Sequence, residues 1–229
     1  MRRTERTERM IGTKGQEKLA KSAVAIFGLG GVGSFCCEAI ARAGVGRLLL
    51  VDGDVVEESN INRQLYALTD TIGLPKAELA KQRCLKINPN AFIEARQVFF
   101  DADTQRDFSF EGFDYVVDAI DSVSSKILLI EKAWAANVPI VCAMGAGNKF
   151  DPTAFRVSYI EDTKVCPLAR VMRRELKARG IARVQCVYSE EPPIQVGDGE
   201  RAPGSISFVP SAAGLVLAGA VIRGLLNEN

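Results

Sequence analysis

Residues 23–33, AVAIFGLGGVG, decide the fold predicted for this chain. The first five are all apolar, which is typical of a strand buried on both faces of a parallel sheet. Helix-forming residues 34–43 follow a run of glycines with the pattern GxGGxG, namely Gly28, Gly30, Gly31 and Gly33. Glycines let the backbone approach phosphates, and a helix N-terminus presents free N–H groups to an anion. The stretch therefore predicts a strand, a nucleotide-binding loop and a helix.

Apolar and helical segments alternate over the first 150 residues. We predict strands at 23–27, 47–51, 92–98, 115–119 and 139–143, and helices at 34–43, 75–87 and 124–137. Such strand–helix–strand units predict a parallel sheet with helices on both faces. A strand at 154–159, a basic helix at 167–179, a Pro- and Gly-rich loop and a helix from Ser211 follow. We expect one α/β domain, 1–229, with a Rossmann-like, doubly wound, mostly parallel core at 1–150 and a C-terminal extension at 151–229.

Composition excludes several function classes. The net charge is +1 and there is no histidine, so His-based triads and Cys2His2 metal sites are excluded. The six cysteines form no CxxC pair, and we expect no zinc; Cys166 and Cys186 stay open as functional candidates. Residues 1–9 are too charged for a signal peptide, and the apolar stretch 212–222 is short for a membrane span. We expect a cytoplasmic protein without a membrane segment, whose last helix is a core or dimer helix.

An acidic residue supports the nucleotide interpretation. Asp52 ends the second predicted strand 19 residues after Gly33, where a carboxylate can accept hydrogen bonds from ribose. This pattern alone fits both NAD and ATP. The sequence shows no residues suited to hydride transfer. Polar residues, including Asn60, Arg63 and Gln64, follow the second strand, where a Rossmann dehydrogenase has an ordinary crossover connection. These residues favour ATP, while a nucleotide-binding oxidoreductase or regulatory module remains an alternative.

Five motifs in order carry a family resemblance. They are GxGGxG at 28–33, VDxD at 51–54, SNxxRQ at 59–64, GxxKxE at 73–78 and DxxDS at 118–122. This succession resembles the ubiquitin-activating-enzyme superfamily, which includes the ThiF-like proteins. The resemblance implies an ATP-dependent enzyme that adenylates a carboxylate.

The resemblance also implies roles for individual residues. Asp121 corresponds to a Mg²⁺ ligand, and Arg63 and Lys76 to the cations that steady the pyrophosphate. Arg6 corresponds to an arginine that reaches the ATP of the partner in a homodimer. Ribose and phosphate contacts are implied for the polar residues of the motifs, Asp52, Asp54, Asn60, Gln64 and Lys76. The alternative is that Arg63 and Lys76 form surface ion pairs and that Arg6 belongs to a frayed terminus.

The second half resembles the tRNA threonylcarbamoyladenosine dehydratases, which use ATP to cyclise the side chain of a modified adenosine in tRNA. The matching segments are 146–152, 167–181, 184–190 and 204–215. The resemblance implies tRNA as substrate, with sulfur-transfer proteins as further partners. An adenylyltransferase for a ubiquitin-like sulfur carrier is the alternative, although relatives of that kind commonly carry two CxxC pairs.

The predicted helix 167–179 points to RNA independently of the resemblance. Its apolar stripe is Leu168, Val171, Met172 and Leu176, and its other faces are basic. A concentration of positive charge in a nearly neutral protein favours contact with a phosphate backbone. The residues we expect to contact tRNA are Arg170, Arg173, Arg174 and Lys177.

Overall fold

The computed structural model describes residues 3–195 and 203–227. The strands are β1 (Ala23–Phe27), β2 (Arg47–Val51), β3 (Phe92–Arg96), β4 (Tyr115–Asp118), β5 (Ile140–Ala143), β6 (Phe155–Tyr159) and β7 (Gln185–Ser189). The helices are α1 (Glu5–Lys21), α2 (Gly33–Ala43), α3 (Lys76–Ile87), α4 (Val123–Ala135), α5 (Pro167–Ala178) and α6 (Phe208–Leu226). Part of the predicted Pro- and Gly-rich loop, 196–202, lies outside the described residues.

All seven strands belong to one sheet in the order β3-β2-β1-β4-β5-β7-β6. Every pairing is parallel except that of β6 with β7 at the edge. The strand order reverses between β1 and β4, and in sheets of this kind a ligand crevice opens beyond the carboxyl ends of the strands at that point. The predicted Rossmann-like, mostly parallel α/β fold is confirmed.

Two apolar layers hold the helices on the sheet. Residues of α2, α3 and α6 form one buried cluster with one face of the strands, and residues of α4 and α5 form the other. Helix α6 packs closely on α2, since a Cβ on Gly214 would collide with the Val32 carbonyl oxygen. The C-terminal strands and helix thus complete the same sheet and core as the nucleotide-binding half.

Two elements were not predicted. Helix α1 has a strongly charged sequence interrupted by Gly12, whose φ is 73°, and Leu19 is its one fully buried residue among those described. It therefore lacks the repeated apolar face that marks a helix in a sequence. Strand β7 is buried along most of its length and lies between β5 and β6, but its sequence, QCVYS, mixes polar and apolar residues. Its strand character comes from tertiary pairing on both sides.

The last helix is longer than expected. It begins at Phe208, three residues before Ser211, and ends at Leu226. In the described part of the chain it is the one helix whose length and composition would suit a membrane span, and half of that window is buried inside the protein. Core helices pass the same test of length and composition, so this feature is weak evidence for a membrane.

Candidate active site

The glycine loop follows β1 and forms the floor of a cavity of about 610 Å³ at the carboxyl ends of the strands. Gly28 has a φ of 87°, and a Cβ there would lie 2.6 Å from the Ala119 carbonyl oxygen. A Cβ on Gly33 would collide with the Gly28 carbonyl oxygen. The loop can therefore take this shape only with glycine at these two positions, which leaves room above it for a ligand.

Most of the predicted nucleotide-site residues line this one cavity. They are Gly28, Gly30, Gly31, Asp52, Asp54, Arg63, Gln64, Lys76 and Asp121. Gly33 and Asn60 are the two predicted nucleotide-site residues that are not among its lining residues. Arg6 and the basic residues of α5 do not line the cavity of their own chain.

Asp52 joins the end of β2 to the glycine loop. Its Oδ2 accepts a hydrogen bond from the Leu29 amide at 2.6 Å, and its Oδ1 accepts one from the Asp54 amide at 2.9 Å. Burial raises the pKa of Asp52, and these two hydrogen bonds oppose that rise. Each carboxylate oxygen keeps a second lone pair, so Asp52 can still accept a hydrogen bond from a ribose hydroxyl.

Lys76 is the first residue of α3 and is held by Asp54. Its Nζ lies 2.8 Å from Asp54 Oδ2, and its amide donates to the Asp54 carbonyl oxygen at 3.1 Å. Only 6% of the Lys76 side chain is exposed, against 51% for Asp54. The ammonium group is thus fixed against the cavity wall, where it can attract phosphate oxygens.

Asn60, Arg63 and Gln64 lie on a short 3-10 turn and the residues that follow it. Asn60 is buried and caps the turn, its Oδ1 accepting from the Glu57 amide at 3.2 Å. Arg63 NH1 donates to the Ser59 carbonyl oxygen at 3.0 Å, which holds the guanidinium at the cavity. Asn60 therefore positions the turn, whereas Arg63 and the buried Gln64 face the ligand space.

Asp121 lies between β4 and α4 and is exposed. Its carboxylate has no hydrogen bond or ion pair within the described residues, although it lines the cavity. Mg²⁺ is typically bound in proteins by one or two carboxylates together with substrate phosphates. An exposed carboxylate that lines the same cavity as Arg63 and Lys76 has the chemistry that such a site needs.

A buried ion pair beneath Asp121 was missed by the sequence reasoning. Lys126 Nζ lies 3.0 Å from Asp118 Oδ2, and both side chains are 0% exposed. Lys126 also donates to the Ile120 carbonyl oxygen at 2.9 Å, and the Ile120 amide donates to Asp118 Oδ1. The pair thus fixes the backbone that carries Asp121. The one feature of the sequence that could have indicated this pair is Lys126, which lies next to the apolar residues 127–130 of α4.

The far wall of the cavity, which was also not predicted, is built from loops. Residues 143–147 after β5 and residues 203–205 line it together with Phe99 and Leu168. Asn148 joins the two loops, because its amide donates to the Gly204 carbonyl oxygen at 2.8 Å and its Oδ1 accepts from the Gly204 amide at 2.6 Å. The sequence signals for this wall were Gly145 and Gly147 after the fifth strand and the segments 146–152 and 204–215, which carry the resemblance to the dehydratases.

The cysteines left open are both buried. Cys166 precedes α5, and Cys186 lies in β7. Burial raises the pKa of the Cys186 thiol to about 12, so the thiolate needed for nucleophilic attack is scarce at neutral pH. Neither sulfur lines the cavity.

The basic residues of α5 differ in their surroundings. Arg170, Arg174 and Lys177 are exposed, and Arg174 lies 2.8 Å from Glu175. Arg173 departs from the expectation of a free cation, because its NH1 donates to Thr163 Oγ1 and to the Thr163 carbonyl oxygen, both at 2.7 Å. Arg173 is half-buried, and these hydrogen bonds brace the turn before α5. Arg6, in α1, is exposed.

Comparison with known proteins agrees with this geometry. The model of the ThiF family matches residues 3–229. The chain is 43% identical to a tRNA threonylcarbamoyladenosine dehydratase of Bacillus subtilis over 97% of this chain and 94% of the relative. It is 38% identical to the Escherichia coli protein of that name over 81% and 72%. The E. coli dehydratase solved in complex with ATP superposes with a TM-score of 0.91 at 34% identity, covering 99% of this chain and 94% of that one. The chain belongs to the ThiF family.

Proposed function

We propose that this protein is an ATP-dependent dehydratase that cyclises threonylcarbamoyladenosine in tRNA. The observation that carries the proposal is the single cavity in which a glycine loop, two cations and an unpaired carboxylate meet. The family relationship supports the choice of substrate, because relatives that are 43% and 38% identical to this chain carry the name tRNA threonylcarbamoyladenosine dehydratase.

ATP fits the cavity by its chemistry. The glycine loop and the N-terminus of α2 offer backbone N–H groups to phosphates. Asp52 is placed for the ribose, and Arg63 and Lys76 supply positive charge for the polyphosphate. These cations stabilise the charge that develops on pyrophosphate as it leaves.

We propose that Mg²⁺ binds through Asp121. The carboxylate is exposed, lines the cavity and has no partner in the described part of the chain, so it is available as an oxygen ligand. When bound, Mg²⁺ would neutralise phosphate charge beside this carboxylate. The Asp118–Lys126 pair holds Asp121 in place by fixing the Ile120 backbone on both sides.

The reaction needs only positioning and charge stabilisation from the chain. The substrate carboxylate attacks the α-phosphorus of ATP and pyrophosphate departs. A nitrogen of the same side chain then attacks the activated carbonyl carbon, loses its proton and expels AMP. The AMP keeps one carboxylate oxygen, so the nucleoside loses one water. Ring closure is intramolecular, and proximity favours it without a covalent enzyme intermediate. This scheme gives no role to a thiol nucleophile, in agreement with the burial of Cys166 and Cys186.

We further propose one functional domain over 1–229 in which 1–150 binds ATP and 151–229 contacts tRNA and a second copy of the chain. We propose a homodimer in which Arg6, which does not line the cavity of its own chain, enters the cavity of the partner, as the family resemblance implies. Exposed Arg170, Arg174 and Lys177 on α5 are the proposed tRNA contacts. Since the substrate is tRNA, we place the activity in the cytoplasm, with sulfur-transfer proteins as possible partners.

The proposal is tested by incubating the protein with ATP, Mg²⁺ and tRNA that carries threonylcarbamoyladenosine, followed by mass spectrometry of the nucleosides. The expected result is the loss of one water from that nucleoside, dependent on ATP. The matched control omits ATP. An unchanged nucleoside together with ATP–pyrophosphate exchange stimulated by a ubiquitin-like carrier would support the alternative adenylyltransferase instead.

The role of Arg6 in trans is tested by mixing two inactive variants, Arg6→Ala and Asp121→Asn. In a mixed dimer, the first subunit keeps Asp121 and receives an intact Arg6 from the second. Activity should therefore return on mixing. If Arg6 acts within its own chain, mixing restores nothing, and if Arg6 has no role, Arg6→Ala is active before mixing.

A further inference from the structure

A second cavity, of about 840 Å³, opens at the opposite edge of the sheet from the ATP site. It lies at the amino ends of β4, β5 and β7, since Tyr115, Ile140 and Gln185 are the first residues of those strands. The last turns of α4 and α6 close its sides. Its size is within the range of small-molecule sites, about 300–1,000 Å³.

The lining of this second cavity combines flat aromatic surfaces with positive charge. Trp134 is 50% exposed, and the Arg183 guanidinium stacks on the Tyr159 ring at 4.2 Å. Arg223, on the last turn of α6, is the other cation. None of the described residues that line the cavity is Asp or Glu, and neither arginine forms an ion pair within the described ranges. The site therefore suits a ligand with a planar ring and a negative charge.

Helix α5 begins at the ATP cavity and ends beside α4, whose Trp134 lines the second cavity. Leu168 in its first turn lines the ATP cavity, and 12 residues of helix span about 18 Å. At its far end, Arg179 lies 2.9 Å from Glu131 of α4, and Trp134 is one turn further along α4. The exposed Arg170 and Lys177 lie between these ends and form no ion pair in the described part of the chain. Two exposed basic side chains of α5 thus lie between its end at the ATP cavity and its end beside α4.

We propose that the second cavity binds a nucleotide of the RNA substrate, at a distance from the adenosine that reacts. The base stacks on Trp134 and the Arg183–Tyr159 pair, and Arg223 contacts a phosphate. RNA-binding proteins read unpaired nucleotides in this way, by stacking bases on aromatic and guanidinium planes. This inference rests on the proposed function, because the RNA strand is the one whose modified adenosine occupies the ATP cavity.

Trp134 is the single tryptophan of the chain, so its fluorescence reports on this cavity alone. The full-length protein is titrated with an unmodified tRNA transcript, and with AMP and inorganic phosphate as separate probes. Saturable quenching by the tRNA is expected at concentrations at which AMP and phosphate cause none, because a single nucleotide makes only a small part of the contacts of the RNA strand. Equal quenching by AMP would overturn the proposal by indicating a site for free nucleotides.

Two variants extend the test. Trp134→Ala should weaken tRNA binding about tenfold, the size of a lost base stack. Arg223→Gln should lower the slope of log affinity against log salt by about one. The KM for tRNA rises, whereas kcat and ATP affinity remain at the wild-type value. Arg106→Gln, which removes one exposed charge that lines neither cavity, is the matched control.

Failure of the inference and failure of the proposed function give different results. If the wild-type protein forms the cyclised nucleoside and both variants bind tRNA as tightly as Arg106→Gln, the second cavity is no RNA site. If the variants instead lose the dimer in sedimentation, the cavity is an interface between two copies, which also overturns the inference. If no cyclised nucleoside forms, the proposed function is wrong whatever the fluorescence shows.

Discussion

Replacing Lys126 by Met should lower the free energy of unfolding substantially, because it leaves the buried Asp118 carboxylate without its partner. Asp118 and Lys126 are both 0% exposed, and Asp118 Oδ2 makes no hydrogen bond, so the 3.0 Å contact with Lys126 is its compensation. Removing one partner of a buried pair costs about 3–5 kcal/mol. For a chain of this size each kcal/mol lowers Tm by roughly 2–4 °C, so a fall of about 6–20 °C is expected.

The assay is thermal and urea unfolding at pH 7 followed by circular dichroism. The matched variant is Asp118→Asn combined with Lys126→Met, which keeps an oxygen for the Ile120 amide but removes the charge. It should be more stable than Lys126→Met alone.

Two results would refute this reasoning. Lys126→Met within about 1 kcal/mol of the wild type would mean that the pair contributes no more than a surface ion pair. A double variant as unstable as the single one would assign the loss to packing rather than to the stranded charge. Because the pair fixes the Ile120 backbone, ATP affinity of the single variant should also fall at temperatures where it remains folded.

Three further outcomes are expected. Burial tends to raise the pKa of Glu38, but hydrogen bonds from Arg83 and Arg42 outweigh it and lower that pKa. Glu38→Gln should therefore cost about 1 kcal/mol at pH 7. The difference from wild type should vanish as pH falls through the lowered pKa; a pH-independent difference in unfolding would contradict the pairing. Gly33→Ala should lose ATP binding in calorimetry and cost about 1–3 kcal/mol, since its Cβ meets the Gly28 carbonyl. A variant that binds ATP normally would show that the loop can rearrange. Cys186→Ala should retain turnover in the nucleoside assay because the pKa of this thiol is about 12, and an inactive but folded variant would assign it a catalytic role.

Local patterns were sufficient for much of the fold. Strands β1, β2 and β4 are short apolar runs buried on both faces, and each was predicted to within one residue. The glycine loop was equally predictable, because its conformation is forbidden to other residues at Gly28 and Gly33. Where the pattern is not local, prediction failed: α1 has no repeated apolar face, and β7 is a strand because it lies between two others.

The candidate site also has a part that the sequence predicted and a part that only the structure shows. The motifs supplied the residues that surround the ATP cavity, since a parallel sheet brings the carboxyl ends of its strands to one edge wherever they occur in the chain. Sequence could not distinguish the residues that face the cavity from those that brace it, such as Asn60. Nor could the sequence show that the Arg173 guanidinium donates a hydrogen bond to Thr163, since that contact depends on how α5 packs.

The sequence by itself determined a nucleotide-binding α/β sheet and the chemistry of its motifs, because glycine, carboxylate and cation patterns act over a few residues. Only the tertiary structure paired Lys126 with Asp118, packed α6 on α2 and opened a second cavity at the far edge of the sheet. The ion pair and the helix contact each join different secondary-structure elements, and the cavity forms where the ends of several strands and helices meet. Their energies depend on burial and distance, which only the folded arrangement of the helices and strands defines.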